Sequence, residues 1–222
     1  MRPRPPNLPA LYVEGVDDVS VIAGLLKRRG VDTKQGQQHL WIKPFGSDRE
    51  LLSAMADTIK AERSTPCGFV LDIDIEVKNR WRSVCERLKF AGDVSTKLVT
   101  TPGPTCPHEG YIGIVDGYPK PFGIWLMPDC KTDAQKLEHL VTTLITDLDP
   151  LWLHAKLSAA EAKQKVDDAN RGLPAGSPPW KRFGDIDQIK AEVRTWLAWQ
   201  VEPGISFGAA INVRLPFKTK IT

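Results

Sequence analysis

The chain has 222 residues, 41% of them hydrophobic and 26% charged, the composition of a soluble globular protein large enough for one generous α/β domain with a modest addition. No stretch approaches the ~20 continuous apolar residues that a membrane span requires. The stretch from Met1 to Pro9 is proline-rich without a signal-peptide core, so a cytoplasmic protein with no membrane partner is expected. A net charge of +3 permits a nucleic-acid partner without demanding one, and the placement of the basic residues decides more than their sum.

In chain order, strand and helix signals alternate, as in a parallel α/β sheet. Ala10-Leu-Tyr-Val13 is a short apolar strand. Asp17 or Asp18 then opens a helix that buries Val19, Ile22 and Leu26 and stops near Gly30. Leu40-Trp-Ile42 is the second strand, and Ser47-Asp-Arg-Glu50 is a capping box ahead of a helix burying Leu51, Met55 and Ile59. Gly68-Phe-Val-Leu71 is apolar throughout, as a strand covered on both faces should be. It runs into Asp72-Ile-Asp74, and the next helix carries Val77, Trp81, Val84 and Leu88 inward.

Two strand signals, Tyr111–Val115 and Gly123–Met127, flank the turn Asp116-Gly-Tyr-Pro119. Thr132-Asp-Ala-Gln135 has the form of a second capping box, followed by Leu137, Val141, Leu144 and Leu148 at helical spacing. Beyond Pro150 the character changes: a polar helix starts near Ser158, a loop covers Arg171–Pro179, and a last helix holds Ile189, Val193, Trp196 and Leu197. The expectation is an α/β domain over 1–150, with a mostly parallel sheet flanked by helices, and a helical C-terminal extension over 151–222 packed on it.

Ligands of open parallel sheets gather at the carboxyl ends of the strands. Glu14 ends the first strand, and Asp72 and Asp74 end the third. If those strands are neighbours, three carboxylates converge at one rim. Like charges so crowded need a cation among them, and oxygen donors without histidine or thiolate favour Mg²⁺ or Mn²⁺ over zinc. The plain alternative is a turn or helix cap. Asp129, which also follows an apolar strand, and Glu138 either extend the acidic set or serve as a strand-end turn and a solvated helix residue.

Lys78, Arg82 and Lys89 form a basic stripe beside the apolar face of their helix, suited to phosphate contacts or to simple solvation. Lys43 also follows a strand. The four cysteines lie far apart with no CxxC pair, which suits reduced, partly buried thiols, and Cys106-Pro-His108 reads better as a polar loop than as a metal site. Among the seven tryptophans, Trp180 and Trp196 are candidates for base stacking, although packing is the commoner role.

Val13-Glu14-Gly15 with Leu71-Asp72-Ile73-Asp74 resembles the TOPRIM signature, a strand-end glutamate with glycine followed by D-x-D after a later strand. The resemblance covers about Ala10 to Leu88 and implies a TOPRIM/Rossmann-like fold binding Mg²⁺ (or Mn²⁺) for chemistry on nucleic-acid phosphates. Asp18 is similar to the extra acidic ligand of the overcoming-lysogenisation-defect nucleases, or it caps its helix. Gly123–Asp129, Leu137-Glu138, Thr195–Gln200 and Pro203-Gly204 resemble small stand-alone microbial TOPRIM-like proteins.

The family likeness implies a metal-dependent nuclease, in phage defence or nucleic-acid metabolism. Glu14, Asp18, Asp72 and Asp74 would be its metal ligands, Glu14 the candidate general base and Lys78 the candidate for neutralising transition-state charge. It equally accommodates a non-hydrolytic binding module working beside a separately encoded ATPase. The chain has no room for the further domains of topoisomerases or primases. A Rossmann-like nucleotide binder is disfavoured, because no glycine-rich phosphate loop follows the first strand. Monomer and homo-oligomer are both left open.

Overall fold

The structure, a computed structural model, describes residues 7–33, 39–74, 76–89, 94, 97–99, 101–181, 183–184, 187–200, 202–203 and 205–212, with the backbone alone for 211–212. It divides into two compact units, Met1–Leu137 and Glu138–Thr222, so the division falls ahead of the expected residue 150. The described residues hold no helix long and apolar enough to cross a membrane.

The first unit is built on a five-stranded sheet of order β2-β1-β3-β5-β4. Its strands are β1 (Ala10–Val13), β2 (Trp41–Pro44), β3 (Cys67–Asp72), β4 (Tyr111–Gly113) and β5 (Phe122–Met127). β1, β2, β3 and β5 run parallel, and only β4 is antiparallel, to β5. The chain is therefore α/β with a mostly parallel sheet, as its alternating strand and helix signals indicate.

Strand alternation sorts the side chains between two faces. Tyr12, Phe69, Leu71, Ile124 and Leu126 join one buried cluster. Helix α2 (Asp48–Ala61) covers it with Leu51, Met55 and Ile59, and α3 (Val77–Lys89) with Trp81, Val84 and Leu88. Ser47 caps α2 by accepting from the Glu50 N–H at 3.2 Å, as the Ser47–Glu50 box predicts. Helix α1 (Val16–Arg28) lies on the other face, where Ile22 and Leu26 meet Leu11 and Val70. Its most enclosed apolar residues are Val21 and Ile22, while Val19 and Leu26 are half-buried.

Because α1 leads outward from β1 to β2, and α2 leads back past β1 to β3, the winding reverses between β1 and β3. Open parallel sheets place their ligands in the crevice at such a reversal. On the face that α1 shares, Gly68 and Gly123 stand side by side in β3 and β5. They leave an apolar hollow of about 320 Å³ between α1 and Trp125, in the amino-terminal half of the strands and away from that crevice.

Three local expectations are corrected. The Thr132–Gln135 box starts no helix: the Asp129 carboxylate takes the Thr132 N–H at 2.9 Å and its hydroxyl at 2.6 Å, and Ala134 has a φ of 57°. The helix there, α4, is only Leu137–Thr142, which leaves Leu144 beyond it and Leu148 87% exposed. In the second unit the polar helix starts at Pro150, not Ser158, giving α5 (Pro150–Arg171). Asp149 is the reason: its carboxylate accepts from the N–H groups of Leu151 at 2.8 Å and Trp152 at 3.2 Å, and proline at the first helical position lacks only an N–H the helix would not use. The second unit also contains α6 (Gln188–Ala198), which buries Val193, Trp196 and Leu197, and the unforeseen α7 (Phe207–Asn212).

Candidate functional site

The β1–β3 pairing brings Glu14 and Asp72 to the same carboxyl edge. Glu14 Oε1 accepts the Asp72 backbone N–H at 2.8 Å, and Asp72 Oδ1 is withdrawn from solvent. The loop after β2 closes on the same place, with the Gly46 N–H donating to the Glu14 carbonyl at 2.7 Å. Gly46 has a φ of +111°, a conformation that any side chain would strain, while the Glu50 carboxylate 2.6 Å from a Cβ there could swing aside.

Burial pushes the Glu14 carboxyl up from 4.5 to about 7, helped by the charges of Asp74 and Asp18 and opposed by the Asp72 N–H and Arg80. Such a group changes its ionisation near neutral pH. Asp18 is buried in the first turn of α1, and its Oδ2 accepts the Gly15 N–H at 2.8 Å. Its capping reading is thus realised. Gly15 makes room for it, since a Cβ there would lie 3.1 Å from Asp18 Oδ2.

Asp74 follows at the same edge in a left-handed conformation, φ 61°, with its N–H held by the Gln135 carbonyl at 3.0 Å. Its carboxylate is turned onto Arg80. The other arm of that guanidinium donates to Asp48 Oδ2 at 3.0 Å, which ties the amino-terminal parts of α2 and α3 to the rim. Burial is the largest influence on Arg80 and would lower its pKa, but the Asp48 hydrogen bond and the charges of Asp74 and Glu14 outweigh it and hold the pKa above the usual arginine value.

Arg80 and Asp48 are the residues the sequence reading missed. A helical projection of α3 could have flagged the arginine. Arg80 flanks the apolar face on one side, and Lys78, Arg82 and Lys89 lie on the other, roughly 160–200° away by helix geometry. Those three are exposed, as a phosphate-tracking stripe must be, but the basic group in contact with the carboxylates is Arg80.

The remaining candidates find other employment. Lys43 places its ammonium 5.1 Å from the Phe45 ring centre. Asp129 serves the turn described above, and its hydrogen bonds outweigh burial and hold its carboxyl below the usual range. Glu138 is buried in α4 of the second unit. All four cysteines are free and buried; the Cys106 thiol donates to the Pro107 carbonyl at 3.6 Å, while His108 is exposed, which leaves Cys106–His108 a loop. Trp196 is a core residue and Trp180 is 65% exposed. Gly204 lies outside the described residues.

In kind, the donors fit a hard divalent cation: carboxylate oxygens only, one of them with a raised pKa that a nearby cation would bring down. In arrangement, no three His, Cys, Asp or Glu side chains among the described residues stand together as a metal-holding group, and Asp74 is engaged by Arg80. The Glu14 carboxylate thus meets the Asp72 backbone, and the Asp74 carboxylate is paired with Arg80.

Residues 9–221 match the family described as "Protein of unknown function (DUF3226)". Nothing matches among the curated proteins or the solved structures.

Proposed function

The chain belongs to that family of unknown function, and from its acidic rim we propose a Mg²⁺- or Mn²⁺-dependent phosphodiesterase of TOPRIM type acting on nucleic acid in the cytoplasm. The observation that carries this reading is the Glu14–Asp72 contact at the winding reversal of a parallel sheet. Asp72 and Glu14 would hold the ion, with Asp74 once released by Arg80. When bound, the ion would supply charge stabilisation for the phosphate oxygens.

Glu14 would take a proton from an attacking water and pass it to the leaving oxygen. Lys78, Arg82 and Lys89 would track the phosphate backbone from the exposed side of α3. One observation favours a second reading, a non-hydrolytic binding module with a partner such as an ATPase: Arg80 already engages Asp48 and Asp74 without any added ion.

The purified chain is expected to cleave DNA or RNA in Mg²⁺ or Mn²⁺ and to stop in EDTA. Cleavage of neither polymer with either metal, with and without the ATPase of a neighbouring gene, would overturn the hydrolytic reading. Replacing Lys78 and Arg82 together by alanine should weaken binding and reduce the salt slope by roughly one per lost phosphate contact, about two in all. An unchanged slope, measured by titration at several salt concentrations, would remove the stripe from the interface.

A further inference from the structure

Arg80 is placed unlike a phosphate-binding arginine. Its side chain is 9% exposed, and both arms are engaged, one by Asp48 and one by Asp74. It therefore presents no open fork to a ligand. What it does present is positive charge at the point where three acidic residues of the rim, Glu14, Asp48 and Asp74, lean on it. Asp74, by contrast, is 39% exposed with its backbone fixed by the Gln135 carbonyl, so its carboxylate can leave Arg80 by side-chain rotation alone. Asp48 is 43% exposed and belongs to a capped helix that stays where it is.

We infer that Arg80 is the resident cation of the rim and competes with a divalent ion for Asp74. Admission of the ion requires Asp74 to leave one arm of Arg80 while the other arm stays on Asp48. The guanidinium weakens ion binding twice, by holding a ligand and by like-charge repulsion. In return it offsets part of the rim's negative charge when no ion is present. This makes Arg80 a positioning residue that sets the ion concentration at which the rim loads. The inference rests on the metal-dependent reading above.

The test is thermal denaturation of the full chain, stripped with EDTA and titrated with Mg²⁺ or Mn²⁺, which needs no activity. Arg80→Gln is expected to melt lower without metal, and to reach half of its metal-induced rise at about tenfold lower ion concentration than wild type. Arg80→Lys, whose single ammonium cannot hold both aspartates, should fall between the two. Because lysine keeps the charge but lacks the rigid fork that spans Asp48 and Asp74, it carries the comparison with wild type if the glutamine variant does not fold. A metal response in the variants at the same or higher ion concentration than in wild type overturns the inference and leaves the metal site standing. No response to either ion in any folded form overturns the metal-dependent reading, and the inference with it.

Discussion

Glu14→Gln is expected to be more stable than wild type at pH 8, by at most about 3 kcal/mol, while losing cleavage by a factor on the order of 10²–10⁴. The stability gain follows from burial. Glutamine keeps an oxygen to accept the Asp72 N–H but carries no charge to desolvate. In wild type the folded carboxyl holds its proton up to about pH 7, against an ordinary value of 4.5. Because the folded value is raised, this group's contribution is fully present below about pH 4.5 and is lost as the pH rises through about 7. Each pH unit of that gap is worth about 1.36 kcal/mol.

Urea denaturation of both proteins in EDTA, from pH 4 to 8, isolates the effect. The difference between wild type and variant should be small at pH 4 and grow through neutrality. Parallel curves would mean that Glu14 is not desolvated as its burial implies. The loss of activity would have a separate cause, removal of the carboxylate proposed to take the proton from water, and is read in the cleavage assay.

Asp149→Ala should cost about 3 kcal/mol, read as a lower urea midpoint followed by tryptophan fluorescence. Asp149 is buried and its carboxylate accepts three hydrogen bonds. Two of them cap α5, which is typically worth about 1 kcal/mol. The third comes from Trp196 Nε1 to Asp149 Oδ2 at 3.0 Å. Alanine would leave that enclosed indole donor unpaired, at about 1–3 kcal/mol more. Trp196 is 1% exposed and packs edge-on against Trp152 at 6.5 Å, so no solvent takes over the bond. Asp149→Asn, which keeps one oxygen for the cap but turns an amide NH2 toward the indole N–H, should recover only the cap, about 1 kcal/mol of the loss. A loss below about 1 kcal/mol for the alanine variant would show that the Asp149–Trp196 link is dispensable.

The sequence by itself determined what depends on neighbours a few residues apart. Ser47 and Glu50 start a helix because the cap needs only its own first turn. Gly68–Leu71 is a buried strand because it is apolar on both faces. Glu14, Asp72 and Asp74 are legible as strand-end residues because each follows an apolar strand signal. The same local logic failed at Thr132, where an aspartate three residues back captured the donors a helix would have used. It also failed at Ser158, whose polar run was the middle of a helix already begun at Pro150.

Tertiary structure alone decided the rest. Strand order put β3 beside β1 and so set Glu14 against the Asp72 backbone. Burial, a property of the assembled sheet and helices, moved the Glu14 pKa. The meeting of α2 and α3 chose Arg80 rather than Lys78 as the rim's basic partner. Spacing along one helix can show which side chains flank its apolar face, but which flank meets the carboxylates is fixed only when that helix packs against elements far away in the chain.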